Sequence, residues 1–155
     1  MLTSLQIGQN GRLGNQMFQY AALATAAFTR GYSWALQNNE NVDLWKVFNM
    51  NNVDILTQKD VDKLKFVYEE PSFQFHPSLF LVDDFTDLRG YFQSPVYFGN
   101  CFEMIKNTFT FKEDINLAAM FEMQKYFDGR PLCSLHVRRG DYLEKSNYHP
   151  PCSLD

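Results

Sequence analysis

The chain has 155 residues, of which 45% are apolar and 21% charged, a balance that places it with globular proteins and excludes an intrinsically disordered chain. Its net charge of −4 excludes a general attraction to nucleic acid or to an anionic membrane surface, so any anion site must be built locally. With 15 Phe and 8 Tyr the sequence has the aromatic area for a sizeable core.

In chain order, the first apolar run, "LTSLQIG" at 2–8, predicts a strand ending at glycine. "NQMFQYAALATAAFTRG" at 15–31 predicts a helix that is apolar on most faces, hence buried, and stopped by glycine. "YSWALQ" at 32–37 predicts a second strand, which gives the β-α-β order of an α/β sheet. Residues 38–63 carry six asparagines, Asn38, Asn39, Asn41, Asn49, Asn51 and Asn52, and read as short helices and loops. Strands are predicted at 64–70, closed by Pro71, and at 87–93. A helix follows from Ser94 as N-cap with Pro95 at its first position, and another covers 113–127. After the break at 129–131, "LCSLHV" at 132–137 has the near-continuous apolar character of a strand buried on both faces of a parallel sheet.

Cys101, Cys133 and Cys152 are odd in number and widely spaced, which points to free thiols rather than a disulfide framework or a zinc site. The N-terminal residues lack the basic and apolar regions of a secretory signal, and "YAALATAAF" is too short to span a bilayer. The expected location is the cytoplasm or the periphery of a membrane.

Two glycine-arginine stretches carry the chemistry. In "GQNGRLGNQ", Gly8, Gly11 and Gly14 lie at intervals of three between a predicted strand and helix, where backbone can approach a ligand and the helix dipole favours an anion. Asn15 and Gln16 add hydrogen-bonding groups and Arg12 a charge; a tight turn with a helix cap would look the same. The pattern is neither a P-loop nor a dinucleotide fingerprint. In "SLHVRRGDYL", 134–143, Arg138, Arg139, Gly140 and Asp141 follow the last predicted strand, where an open parallel sheet gathers its ligands. The arginine fork matches a diphosphate, and Asp141 can hold one guanidinium. A surface ion pair after a strand is the plainer reading of these residues alone. Asp83, Asp84 and Asp87 read as a solvated turn rather than a metal site, and His76 and His149, each beside a proline, as loop residues. "EEPSFQFHP" at 69–77 combines Glu69 and Glu70 with aromatics that suit either a sugar site or a half-buried hairpin.

Three blocks in order, "GRLGNQMFQYA" (11–21), "LRGYFQSPVYF" (88–98) and "SLHVRRGDYL" (134–143), resemble the α-1,2-fucosyltransferases of glycosyltransferase family 11. The last is similar to the family's H-x-R-R-x-D-Y motif. The resemblance implies transfer of L-fucose from GDP-fucose, as donor substrate, to the 2-hydroxyl of a galactose, with inversion and with no metal or cofactor. It implies a GT-B-like fold of two Rossmann-like halves. Residues 1–130 would then form the N-terminal α/β, acceptor-side half, and residues 131–155 only the first strand and loop of the GDP-fucose-binding half. Gly14, Asn15, Gln16, His136, Arg138, Arg139 and Asp141 become donor-site residues, with Arg138 and Asp141 the catalytic candidates. Glu70, Phe73, Tyr91 and Gln93 fall on the acceptor side. The general base is open between Asp141 and Glu70.

The family is roughly twice as long as this chain. The expectation is therefore a fragment or truncated homologue, with a second polypeptide as one source of the missing half and apolar surface left bare beside His136. The alternative is a non-catalytic α/β domain that binds a glycan or a partner without turnover. No nucleic-acid partner is expected.

Overall fold

The computed structural model describes residues 1–137 and Leu143. The chain divides into two units, Met1–Leu117 and Ala118–Asp155.

The first unit is α/β with short parallel strands. Its elements are β1 (Leu2–Thr3), α1 (Leu13–Arg30), β2 (Ala35–Leu36), α2 (Leu44–Val47), β3 (Asp54–Ile55), α3 (Gln58–Val61), β4 (Phe66–Glu69), β5 (Thr86–Arg89) and α4 (Phe102–Thr108), and it contains the first residues of α5 (Glu113–Gln124). Strand β5 lies between β1 and β4, parallel to both, and β2 pairs in parallel with β3. A parallel bridge between Leu2 and Trp34 joins the two sets, so the strands run in the order β3-β2-β1-β5-β4.

Helix α1 follows its sequence closely. Ala21–Ala27 are buried, because small apolar side chains on most faces let the helix sit deep in the core. It ends at Gly31, held at φ +69°, with Tyr32 N–H donating to Ala27 O at 2.9 Å and Gly31 N–H to Phe28 O at 3.1 Å. Around it pack Leu2, Leu36, Leu44, Phe48, Leu79, Leu88, Phe92 and Tyr97.

Several expectations change. The first strand is only Leu2–Thr3, not 2–8, because side chains take over the backbone beyond it: Asp87 Oδ1 accepts Leu5 N–H at 2.8 Å, and Ser4–Gln9 turn. Ser94 does cap a helical segment, its Oγ accepting Val96 N–H at 3.4 Å, but the segment is two 3₁₀ turns, Pro95–Tyr97 and Gly99–Cys101, before α4 begins. The Tyr97 hydroxyl is tied to the 70–76 segment. Asp87 is no solvated turn: it is 2% exposed, in β5, and pairs with Arg89 Nε at 2.9 Å. Asp84 pairs with the Met1 ammonium.

The second unit continues α5 to Gln124 and then turns. Residues 131–137 form no regular structure, and Leu135 is 89% exposed. The strand expected at 132–137 is absent, because a parallel strand is buried only by neighbours on its edges and helices on its faces, and no described strand pairs with it. Cys101 and Cys133 are free. Among the described residues no helix is long and apolar enough to cross a membrane.

Candidate active-site crevice

From β1 the chain runs through α1 to β2 on one side, whereas β5 lies on the other side of β1. In an open parallel sheet, such a point of divergence leaves a crevice beyond the carboxyl ends of the strands. Three loops leave the sheet there: Ser4–Arg12 after β1, Gly90–Ser94 after β5, and Glu70 onwards after β4.

Hydrogen bonds splice these loops together. Gly90 N–H donates to Gln6 Oε1 at 3.2 Å, and Gln19 Nε2 donates to Gly90 O at 2.9 Å. Glu70 reaches across from β4, its Oε2 accepting Tyr91 N–H at 2.9 Å and Phe92 N–H at 2.8 Å. This holds Phe92 at φ +51°, a left-handed conformation that costs about 1–3 kcal/mol in a residue with a β-carbon. The compensation is burial: Phe92 is fully enclosed and lies edge-on to Tyr97, ring centroids 5.6 Å apart. Tyr97 Oη accepts His76 N–H at 2.9 Å and lies 3.3 Å from Glu70 Oε1 and from Gln74 O. Burial pushes the Tyr97 hydroxyl up to about 12, and the neighbouring Glu70 carboxylate adds to the rise.

At the start of α1, Gln93 Nε2 donates to Asn15 Oδ1 at 2.5 Å, bringing together one residue from each of two sequence blocks 78 positions apart. Gly14 lies next to this pair and is exposed, and a β-carbon built there meets nothing within 4 Å. Phe73 and Tyr91 form a tilted aromatic pair, centroids 6.0 Å apart, with Phe73 largely exposed. Gln16 takes a different place. It is buried, its Nε2 donating to Asn41 O at 3.0 Å and its Oε1 accepting Asp43 N–H at 2.8 Å, so both ends of its amide bind the chain itself. Gly8, at φ +90°, lets the loop pass Asn41, whose carbonyl would lie 2.9 Å from any β-carbon there.

Thus Glu70, Phe73, Tyr91, Gln93 and Asn15 are joined through side-chain contacts on loops at the carboxyl ends of the strands of the first unit, Gly14 adjoins Asn15, and Gln16 lies behind them. His136 belongs to the second unit and is exposed. Arg138, Arg139, Gly140 and Asp141 lie outside the described residues, as do His149 and Cys152. Sequence reasoning missed Gln6, Gln19, Asp87 and Arg89, which frame the crevice. Arg89, beside the carboxylates of Asp87 and Glu69, stood in the quoted "LRGYFQS" block, but nothing in spacing alone pairs it with Asp87 Oδ2 at 2.9 Å and Glu69 Oε1 at 3.8 Å.

A sequence profile of glycosyl transferase family 11 matches residues 2–149. Galactoside alpha-(1,2)-fucosyltransferase 1 from Mus musculus is 32% identical over 151 residues, covering 89% of this chain and 38% of the relative. The proteins of that name from Rattus norvegicus and Bos taurus are 31% and 28% identical, over 89% and 92% of this chain and 38% and 41% of theirs. The chain thus spans about two fifths of the length of these relatives. No solved structure matches.

Proposed function

The chain belongs to glycosyl transferase family 11, and from that premise we propose that it is part of an inverting fucosyltransferase that moves L-fucose from GDP-fucose to the 2-hydroxyl of a galactose-containing glycan. The observation that carries this reading is the Asn15–Gln93 hydrogen bond. It draws two of the three family-like blocks together at the carboxyl ends of parallel strands, where α/β sheets bind ligands.

In the reaction the acceptor oxygen forms a bond to fucose C1 as the bond from C1 to the β-phosphate oxygen breaks. GDP leaves with the electron pair, and the acceptor hydroxyl gives its proton to a base. Negative charge grows on the β-phosphate oxygen, so a fixed guanidinium there stabilises the transition state more than the ground state. Arg138 is the main diphosphate contact, with Asp141 orienting it and Arg139 and His136 completing the donor-binding motif. The open space above Gly14 lets a ligand approach the backbone, and Asn15 and Gln93 each keep an unused polar atom for hydroxyl groups. Gln16 shapes the loop from behind. Phe73 and Tyr91 offer aromatic faces to the apolar face of a galactose. Glu70 already accepts two backbone N–H groups and faces the Tyr97 hydroxyl, so it is a positioning residue for the Tyr91–Phe92 turn. The Rossmann-like character of the domain and the GT-B arrangement belong to the same proposal.

The test is Arg138→Lys in a protein of the relatives' full length. Lysine keeps the charge and loses the bidentate fork. Transfer from GDP-fucose to lactose should fall roughly 100-fold or more, the loss typical of removing one donor to a developing oxyanion. Near-wild-type transfer by the lysine variant overturns the assignment, and absence of transfer by the wild type overturns the activity.

A further inference from the structure

At the other end of the strands lies a cavity of about 330 Å³ that the proposed transfer does not use. Tyr20, Trp34, Asn49, Asn52, Asn107 and Thr108 line it, together with Val53 and Met104. Trp34 immediately precedes β2 and Asn52 lies just before β3, so the cavity belongs to the amino ends of these strands. The glycine loop follows the carboxyl end of β1.

We propose that this cavity is a second binding site, one that takes a neutral saccharide. Its volume falls within the ~300–1,000 Å³ of small-molecule sites. None of its lining side chains is charged, which excludes a nucleotide, a phosphate or a carboxylate as the favoured ligand. What remains is aromatic surface with side-chain amides and the Tyr20 and Thr108 hydroxyls around it. Saccharides present the matching chemistry: an apolar C–H face for an aromatic ring and hydroxyls that both donate and accept, as an amide does.

The lining is also held in place before any ligand arrives. Trp34 Nε1–H donates to Tyr20 Oη at 3.4 Å, fixing the indole, and Thr108 Oγ1 donates to Met104 O at 3.1 Å. Asn49 Nδ2 donates to Phe111 O at 3.1 Å, which leaves its Oδ1 as an acceptor of set direction. Asn52 and Asn107 are exposed, and their amides make no hydrogen bond among the described residues. Two of the six asparagines of the 38–63 segment, Asn49 and Asn52, thereby gain a role. The site binds rather than reacts, since nothing in it can activate a hydroxyl or stabilise a leaving group. Its occupancy needs no nucleotide donor and does not rest on the transferase reading.

The experiment is an NMR titration of the 155-residue protein with lactose, maltose and cellobiose up to tens of millimolar, the range of weak sugar binding. The two tryptophan indole N–H signals are followed, assigned through Trp34→Phe and Trp45→Phe. At least one disaccharide should shift the Trp34 signal more than that of Trp45, and free GDP should not. Asn52→Ala with Asn107→Ala changes only exposed side chains, so folding is kept, and it should raise the titration midpoint at least ~5-fold, the loss of about one hydrogen bond. The proposal is overturned if no disaccharide moves Trp34 or if the double variant titrates like the wild type. It is also overturned if Asn15→Ala with Gln93→Ala weakens the Trp34 response as much, since the signal would then come from the crevice.

Discussion

Gly90 holds φ at +151°, and a β-carbon there would lie 2.4 Å from Glu70 Cβ and 2.8 Å from Glu70 Oε2. Any larger residue therefore meets the carboxylate that accepts Tyr91 and Phe92 N–H, and it meets it in a backbone conformation that L residues rarely adopt. Gly90→Ala should lower the unfolding free energy by about 1–3 kcal/mol, read as a drop in the urea midpoint at unchanged slope. A variant as stable as wild type would mean that Glu70 moves aside without loss, and the turn would not depend on it. Tyr97 reports the same anchor through pH. Its folded hydroxyl titrates near 12, above the unfolded value of 10.0, so from pH 10 to about 12 the unfolded chain gives up this proton first. The stability that Tyr97 contributes is thus complete below pH 10 and is lost as the pH rises through that window. Denaturation midpoints at pH 9 and pH 11 should differ less in Tyr97→Phe than in wild type; equal differences would remove Tyr97 from the account.

Among the elements, the first turn of α1 meets the Gly90–Ser94 loop directly through Asn15 and Gln93, 2.5 Å apart. If that contact joins the two loops, Asn15→Ala and Gln93→Ala should be non-additive, with a coupling of about 0.5–1.5 kcal/mol in denaturant unfolding. Strict additivity would mean that the loops hold their places independently. How far each element was legible in the sequence follows from where its hydrogen bonds go. Helix α1 was legible almost to the residue, because its bonds are internal and its stop is a glycine in the left-handed region. Strand β4 was legible too, closed where Pro71 removes a donor. The end of β1 was not, since it is set by Asp87, 82 residues away from Leu5. That one long-range bond also hid Asp87 itself, which local context made a surface turn. The same holds for the helix expected from Ser94, where the Tyr97 hydroxyl is held by a segment more than 20 residues back. In the candidate crevice, residue types were legible from glycine, amide and arginine content. The division between Asn15, bonded to Gln93, and inward-facing Gln16 was not, because adjacent polar residues of one helix turn differ only in what the distant chain offers them.

At the scale of the whole molecule, stability is concentrated in the first unit. Ala21–Ala27 are buried within a continuous helix, and their N–H groups open only when that core opens. In the second unit, residues 131–137 make no backbone ladder among the described residues, and Leu132 and Leu135 face solvent. Composition alone would have "LCSLHV" as a buried strand, whereas burial requires neighbours that the described residues do not provide. Hydrogen exchange on the 155-residue protein separates these two accounts. Amides of 131–137 should exchange at close to the free-peptide rate, while those of 21–27 exchange last of all and slow together with global stability. If 132–137 were instead protected as strongly as α1, the run would be a strand in solution, and the residues that follow it, Arg138 to Asp141, would leave the carboxyl end of a sheet as an α/β ligand site requires. The exchange rate of Leu135 thus bears directly on the proposed diphosphate contact of the arginine pair.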